Sequence, residues 1–389
     1  MAVGWVERGE AHQSLQRPVG LAALDPPYGS DTLASGGQTK IMTWMRAIVV
    51  PLALVVPASA LCAQAPPKDR LVDSVDRGLA FLALMQEKDG SWEGNGIKHP
   101  AVTSLSIMAF LSAGHVPGEG PYQKNLDKAI RWVLTQRQPS GLFSAEGYDD
   151  MYQHGICTMM LCEVVAMSDA KTAKEIKPKL EKAVKLILQG QRTAPGMYRG
   201  GWRYQLAGTD ADMSVSGWQI LALRAAKNLG CDVPADRIDM AMKYVVDSRD
   251  VSTGGFAYTP GSGPTPSCTG TGVLALELCS KDRARSRESL LGGSYLLKNL
   301  VKVGDPHLHY ALYYGSQAMF QLGGNYWNVY RPHLHKTLFE NQQRNGSWIN
   351  NDGIGVSYST SMSILALTVE YRLLPLYQRD EEVDAKKKD

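Results

Sequence analysis

Acidic residues lie where two predicted helices begin, and their spacing limits the chemistry that they can perform. Asp150 and His154 are four residues apart, so on a helix they share a face and can form a hydrogen bond or ligate a metal together. Asp210 and Asp212 directly precede the stretch Met213–Asn228, where carboxylates cap free backbone N–H groups. We interpret the first two residues as a hydrogen-bonded pair. Asp212 and Asp210 are the candidate catalytic residues, and a role as helix caps is the alternative.

Further polar and aromatic side chains occur at the starts of the other predicted helices. Tyrosine rings there can stabilise a cation through their π faces or simply pack a core. A helix start also favours anionic groups. The candidate ligand-binding residues are Tyr148, Asp149, His154, Trp218, Cys268, His309, Tyr310, Tyr313 and Tyr358, and neighbouring polar positions include His99, Thr103, Thr269, His307 and Tyr314.

These residues are positioned by a repeat of two helices with a period of about fifty residues. In each repeat a charged, amphipathic helix precedes one that is rich in small and apolar residues. The predicted charged helices are Leu71–Gln86, Lys124–Gln136, Lys177–Gln191, Asp236–Ser248, Glu288–Val301 and Tyr330–Gln343. The predicted small-residue helices are Ala101–Ala113, Asp150–Ala166, Met213–Asn228, Thr269–Cys279, His309–Leu322 and Tyr358–Tyr371.

A helix that is apolar nearly all round must be buried, whereas its charged partner must face water. Six pairs satisfy both demands by closing into two concentric rings, an all-α (α/α)6 toroid, and an open helical solenoid is the alternative. In a ring, the starts of the inner helices meet at one mouth. Side chains that are distant in sequence therefore converge there.

The turns between paired helices carry a family resemblance. Gln86–Trp92 and Gln342–Trp348 match the QW repeat of the squalene–hopene cyclase and protein prenyltransferase β-subunit superfamily, and Gln136–Phe143, Gln191–Trp202 and Gly254–Phe256 are looser copies. The resemblance runs from about Leu71 to Gln378 and also implies an (α/α)6 barrel. In these turns the Gln amide can bind backbone at the end of an outer helix while the aromatic side chain packs over it.

Asp210-Ala-Asp212-Met213 resembles the D-x-D-D motif of class II terpene cyclases, although Met213 replaces the last aspartate. The resemblance implies that Asp212 protonates a double bond or epoxide, with Asp210 as its partner. It implies a hydrophobic, isoprenoid ligand in a central cavity and, if the protein is an enzyme, a cyclase of isomerase or lyase type. Cyclases of that family use two helical domains, whereas one barrel fits this chain.

Two other functions stay open. Carbohydrate-active enzymes also use (α/α)6 barrels, and Asp149 or Asp150 with Asp212 could flank a sugar bond while Trp218 stacks on the sugar. A non-catalytic toroid that binds a ligand or a protein is the other alternative. An enclosed aromatic cavity with one buried acid would favour a cyclase, an open polar groove with two acids a glycan enzyme, and a filled centre a binding or structural role.

The resemblance to prenyltransferases raises the question of zinc, which those proteins hold at the ring mouth. Cys268 with His307 or His309 would be the nearest equivalent of those zinc ligands in this chain. However, no stretch reproduces the family's zinc motif. We therefore expect no metal and no cofactor. A net charge of +3 without a basic, aromatic-rich patch also argues against nucleic acid as a partner.

The N-terminal region reads as a targeting segment. Residues 42–65 combine a basic start, an apolar stretch and a small-residue cleavage pattern, which predicts a signal peptide and a secreted or periplasmic protein. A membrane anchor is the alternative. A secreted or periplasmic protein can still reach a polyprenoid that is dissolved in a membrane, so peripheral membrane contact is compatible with this localisation. Residues 1–41 show no period and are predicted to be an over-extended or disordered N-terminus. Residues 66–378 hold the toroid, and residues 379–389 form a charged tail predicted to be disordered.

Overall fold

The computed structural model describes residues 69–145, 149–279, 285–350 and 352–377. The predictions for residues 1–41, the signal peptide at 42–65 and the tail at 379–389 lie outside these residues, as does the candidate ligand-binding residue Tyr148.

Twelve α-helices alternate between an outer and an inner ring in the described part of the chain. The outer helices are α1 (Arg70–Met85), α3 (Gln123–Thr135), α5 (Ala170–Gly190), α7 (Ala235–Asp247), α9 (Arg287–Lys298) and α11 (Gly324–Asn341). The inner helices are α2 (Pro100–Ser112), α4 (Asp150–Met167), α6 (Met213–Asn228), α8 (Pro266–Cys279), α10 (Leu308–Leu322) and α12 (Val356–Leu367). A two-stranded antiparallel hairpin, β1 (Glu93–Gly94) and β2 (Ile97–Lys98), precedes α2, and two 3-10 turns, Thr368–Tyr371 and Pro375–Tyr377, follow α12.

Burial separates the two sets of helices as the sequence pattern predicts. Outer helix α3 buries Leu126, Ala129, Ile130 and Val133, which lie on one face, and leaves its charged face in water. Every residue of inner helix α2 is buried. Small residues let the inner helices approach closely: a Cβ atom built on Gly270 would lie 2.8 Å from the Cβ atom of Tyr314.

The glycine-aromatic turns tie each outer helix to its neighbours. Gln86 donates from Nε2 to the carbonyl oxygens of Gly90 (3.0 Å) and Asn125 (2.9 Å), the latter on the next outer helix. Trp92 donates its indole N–H to the carbonyl of Leu82 on α1 (2.8 Å). The Trp92 bond satisfies a carbonyl that the last turn of α1 leaves without an intrahelical partner, and the Gln86 bonds join the turn to the next outer helix. These are the structural roles predicted for the Gln and Trp side chains.

The last turn closes the ring. Gln342 makes the same pair of hydrogen bonds, but its second acceptor is the carbonyl of Ser74 on the first outer helix (2.8 Å). Among the inner helices, Ser106 of α2 hydrogen-bonds to Ser361 of α12 (3.0 Å). First and last repeats therefore meet in both rings. The (α/α)6 toroid is confirmed, and the open solenoid is wrong.

Candidate functional site

Asp212 lies fully buried at the start of α6 and is held by three groups. Its Oδ1 atom accepts hydrogen bonds from the backbone N–H of Val215 (2.8 Å) and the hydroxyl of Ser214 (2.7 Å). Its Oδ2 atom pairs with Nη1 of Arg203 at 3.2 Å. Burial raises the pKa of Asp212, and the positive charge of Arg203 opposes that shift. The carboxylate therefore caps the helix, which is one of the two roles that the sequence predicts.

Arg203 organises this side of the mouth. Its guanidinium lies over the rings of Tyr204 (4.7 Å to the centroid) and Tyr258 (5.3 Å). Its Nε atom also pairs with Asp210 at 3.2 Å, and the side chain of Asp210 is half exposed. The two tyrosine hydroxyls hydrogen-bond to each other. One cation is thus shared between two carboxylates and two aromatic faces.

Six aromatic side chains from four inner helices fill the centre of the ring. They belong to the first two turns of α4, α6, α10 and α12, and we call them the aromatic cluster: Tyr152, Trp218, Tyr310, Tyr313, Tyr314 and Tyr358. Their centroids lie between 4.8 and 6.5 Å apart in the contacts that link Tyr152 to Trp218, Trp218 to Tyr314, and Tyr314 to Tyr310 and Tyr313. All six are fully buried, so the ring centre is filled at this depth.

The hydroxyl groups of three tyrosines in this cluster stay neutral. Burial raises the pKa of Tyr152, Tyr310 and Tyr358 well above the ordinary value. Tyr310 also hydrogen-bonds to the hydroxyl of Thr271 on α8 (3.1 Å). The cluster therefore offers apolar π faces rather than charge. All members of the cluster except Tyr152, which closely follows the acids Asp149 and Asp150, are among the residues that the sequence predicts at the mouth.

A further acid, which sequence analysis missed, lies on the opposite side of the mouth. The side chain of Asp352, in the loop before α12, is fully buried, and burial raises its pKa to about 7 against a smaller opposing effect of the His307 backbone N–H. Nδ1 of His307 lies 3.8 Å from Oδ1 of Asp352. The available signal was positional, because Asp352 lies between the turn aromatic Trp348 and α12, just as Asp212 lies between Trp202 and α6.

The predicted hydrogen bond between Asp150 and His154 is wrong, because both nitrogens of the imidazole are bound elsewhere. Nδ1 of His154 accepts from the backbone N–H of Phe143 (2.9 Å), and Nε2 donates to the carbonyl of Ala183 (3.0 Å). Burial lowers the pKa of His154 to about 4, so the ring is neutral. Asp150 instead accepts from the hydroxyl of Ser144 (2.6 Å).

The role of His154 recurs in other repeats. The backbone N–H of the turn aromatic is also accepted by the side chains of Thr103, Ser216, Thr269 and Thr360, each on the following inner helix. His154 and the two candidates Thr103 and Thr269 thus hold turns in place.

The remaining candidates also have structural contacts. His309 bonds through Nε2 to the carbonyl of Ile349 (2.9 Å) and through Nδ1 to Ser363 (3.1 Å), and burial lowers its pKa to about 4. Asp149 accepts from Nε2 of Gln153 (2.8 Å), and Cys268 is buried in α8. Ligand binding by these residues stays a prediction.

Within the described ranges, no group of three or more His, Cys, Asp or Glu side chains is arranged to hold a metal ion. In the same part of the chain, no helix has both the length and the apolar character needed to cross a membrane.

No family model matches the chain, and no curated protein is detectably similar to it. Solved structures, however, share its fold. The GH76A α-1,6-mannanase of Salegentibacter sp., in complex with α-1,6-mannotriose, aligns with a TM-score of 0.61 over 78% of this chain and 99% of its own, at 10% identity. The type II terpene cyclase MstE of Scytonema aligns with a TM-score of 0.51 over 78% of this chain and 98% of its own, at 15% identity.

In fold, the chain is an (α/α)6 toroid of the kind that the mannanase and the cyclase share. The resemblance that the turns predict is confirmed at that level by the cyclase, and the mannanase shows that the same architecture also belongs to a carbohydrate-active enzyme. At these identities the similarity carries the fold and not the activity.

Proposed function

We propose that this toroid binds a neutral, hydrophobic ligand of isoprenoid type at the mouth of the inner ring, against the aromatic cluster. The observation that carries the proposal is the convergence of six aromatic rings from four inner helices in the turns nearest the mouth. Neutral π faces are suited to isoprenoid chains and to any cation that forms on them. A structure of the cyclase MstE holds geranylgeranyl dihydroxybenzoate as substrate, which supports this ligand class.

The charges at the mouth favour an uncharged ligand over a prenyl diphosphate. Asp210, Asp212 and Asp352 come from two sides of the mouth. Arg203, the cation that contacts Asp210 and Asp212, is already paired with both of these carboxylates. A diphosphate would have to compete with that pairing and approach like charges. A neutral polyprenoid neither competes with the Arg203 ion pairs nor is repelled by the carboxylates. In addition, a signal peptide at 42–65 would deliver the protein to a compartment where membranes supply such lipids.

The filled centre constrains how the ligand binds. Because all six rings are fully buried, a ligand must displace some of them or lie above them at the mouth. A filled ring centre favours ligand binding over cyclisation. Asp212 with Asp210 remains the acid pair that the motif resemblance implies, but the cap and the Arg203 pair support a structural role.

The proposal is tested by native mass spectrometry of the protein purified from a membrane-containing lysate, followed by extraction of bound molecules. We expect a polyprenoid to co-purify and added geranylgeraniol to change the tryptophan fluorescence of the protein. Tyr314→Leu, which removes a central ring, should weaken binding, whereas Tyr326→Leu, on outer helix α11 where the ring hydroxyl donates to Leu290 of α9, should not. A protein that carries no lipid and does not bind geranylgeraniol would refute the proposal.

A glycan is the second candidate ligand. It is favoured by the consecutive residues Asp149 and Asp150 at the start of α4, because the mannanase GH76A was made inactive by changing two consecutive aspartates to asparagine. Titration with α-1,6-mannotriose tests this candidate. Binding that is lost in the double variant Asp149→Asn/Asp150→Asn, together with the absence of any bound lipid, would favour the glycan over the isoprenoid.

A further inference from the structure

The carboxyl groups at the mouth differ in how completely the protein binds them. Asp212 accepts two hydrogen bonds and an ion pair, and Asp210 pairs with Arg203. Asp352 is different: its side chain is fully buried, yet neither carboxyl oxygen has a hydrogen-bond partner of ordinary geometry among the described residues. A buried polar group left in this state costs free energy, which a ligand that supplies the missing hydrogen bond recovers.

The neighbours of Asp352 place it next to the aromatic cluster. His307 directly precedes α10, the helix that carries three of the six rings, and it adopts a left-handed backbone conformation (φ 56°). Residues other than glycine rarely adopt this conformation, and it persists only where the surroundings hold it. Tyr358 lies close enough that, after burial, the charge of Asp352 is the largest cause of its raised pKa. A polar pair, His307 and Asp352, thus borders the buried aromatic cluster.

This arrangement is suited to a ligand with one polar end and a long apolar body. Resting on the proposed function, we propose that the ligand is an isoprenoid alcohol whose hydroxyl group hydrogen-bonds to Asp352 beside His307, while its chain lies against the aromatic cluster. A hydroxyl group can both donate to and accept from a carboxyl group, so it satisfies Asp352 in either protonation state. A hydrocarbon leaves the carboxyl group unsatisfied, and a diphosphate adds charge next to it.

The same geometry predicts selectivity between ligands of equal chain length. A site that is built to hydrogen-bond a hydroxyl group rejects the analogue that lacks it, because the buried polar group is then left without a partner. We expect geranylgeraniol to bind at least about tenfold more tightly than the corresponding hydrocarbon, since one hydrogen bond to a buried group contributes on the order of a factor of ten in affinity.

The experiment compares these two probes on the full protein by competition in native mass spectrometry. Asp352→Leu should bring the affinity for the alcohol down to that for the hydrocarbon, and Asp352→Asn, which keeps a hydrogen-bonding group of the same size, should retain most of the preference. Asp232→Leu, at an exposed aspartate between α6 and α7, is the matched control and should leave the preference unchanged.

The possible results distinguish a failure of this inference from a failure of the proposed function. If both probes bind wild-type protein equally well, the toroid binds isoprenoids but Asp352 does not select the hydroxyl group, and the inference is overturned. If neither probe binds, the proposed function fails and the inference fails with it. The wild-type comparison decides between these results even if Asp352→Leu does not fold.

Discussion

The two sides of the ring mouth carry the same residue type in opposite states. Before α6, Asp212 is buried among donors: the N–H of Val215, the hydroxyl of Ser214 and the guanidinium of Arg203. Before α12, the side chain of Asp352 is equally buried, but Nδ1 of His307 approaches it only to 3.8 Å, and the backbone N–H of His307 offsets only part of the effect of burial on its pKa. Burial alone therefore does not identify a functional acid. The donors around the carboxyl group decide whether it stabilises the protein or remains available to a ligand.

The pH dependence of the free energy of unfolding is the strongest test of the difference between Asp352 and Asp212. The pKa of Asp352 is raised to about 7 in the folded protein from an ordinary value of 3.8, so between these pH values the folded chain binds a proton that the unfolded chain releases. Stability should therefore fall as pH rises from about 4 to about 7 and then level off, by up to about 4 kcal/mol. Urea unfolding across this range should show that Asp352→Asn lacks this contribution. An identical pH dependence in the two proteins would show that Asp352 is not desolvated.

Removing the positive charge of Arg203, on the α6 side of the mouth, should lower the stability of the protein nearly as much. Arg203→Ala leaves the fully buried carboxylate of Asp212 without its counter-charge, and breaking one side of a buried pair is expected to cost about 3 kcal/mol. The double variant Arg203→Ala/Asp212→Ala should recover part of this loss in denaturant unfolding. Additive losses in the double-mutant cycle would mean that the two groups are not coupled.

Changes at Asp212 itself separate the cap from the acid. Asp212→Ala removes the acceptor for the Val215 N–H and should lower the free energy of unfolding by about 0.5–2 kcal/mol. Asp212→Asn keeps an oxygen acceptor and should lose less stability. Ligand binding should survive in Asp212→Asn. A variant with normal stability but no function would instead support Asp212 as the catalytic acid.

The smallest effect is expected at Asp210. Its ion pair with Arg203 is half exposed, and pairs of this kind contribute roughly 0–1 kcal/mol and weaken in salt. Asp210→Asn should therefore shift the unfolding midpoint only slightly, and the shift should shrink further in 1 M salt. A large loss of stability that is insensitive to salt would show that Asp210, like Asp212, belongs to the buried network.

Much of the fold could be predicted because its determinants are local and repeated. Apolar positions at helical spacing distinguish the exposed face of α3 from the all-round burial of α2. The Gln and Trp of each turn could be assigned structural roles because Gln86 and Trp92 act within their own repeat and its neighbour. Even the closed ring followed from the number of repeats, since six pairs suffice for closure.

The site was predicted less well because its contacts cross between repeats. The spacing of Asp150 and His154 suggested a bond, but Phe143 and Ala183 compete successfully for the imidazole. Asp352 carries no motif, and its environment depends on His307, which precedes a different inner helix. Side-chain partners of this kind do not follow from periodicity.

The sequence by itself determined the alternation of helices, the ring and the gathering of polar and aromatic side chains at one mouth, because periodicity and turn chemistry act over short distances. Only the tertiary structure decided which of those side chains are satisfied. Burial and hydrogen bonding are properties of the assembled neighbourhood, and the pKa of an aspartate changes with each donor placed beside it. Asp212 and Asp352 differ for that reason, although both are aspartates in loops that lead into an inner helix.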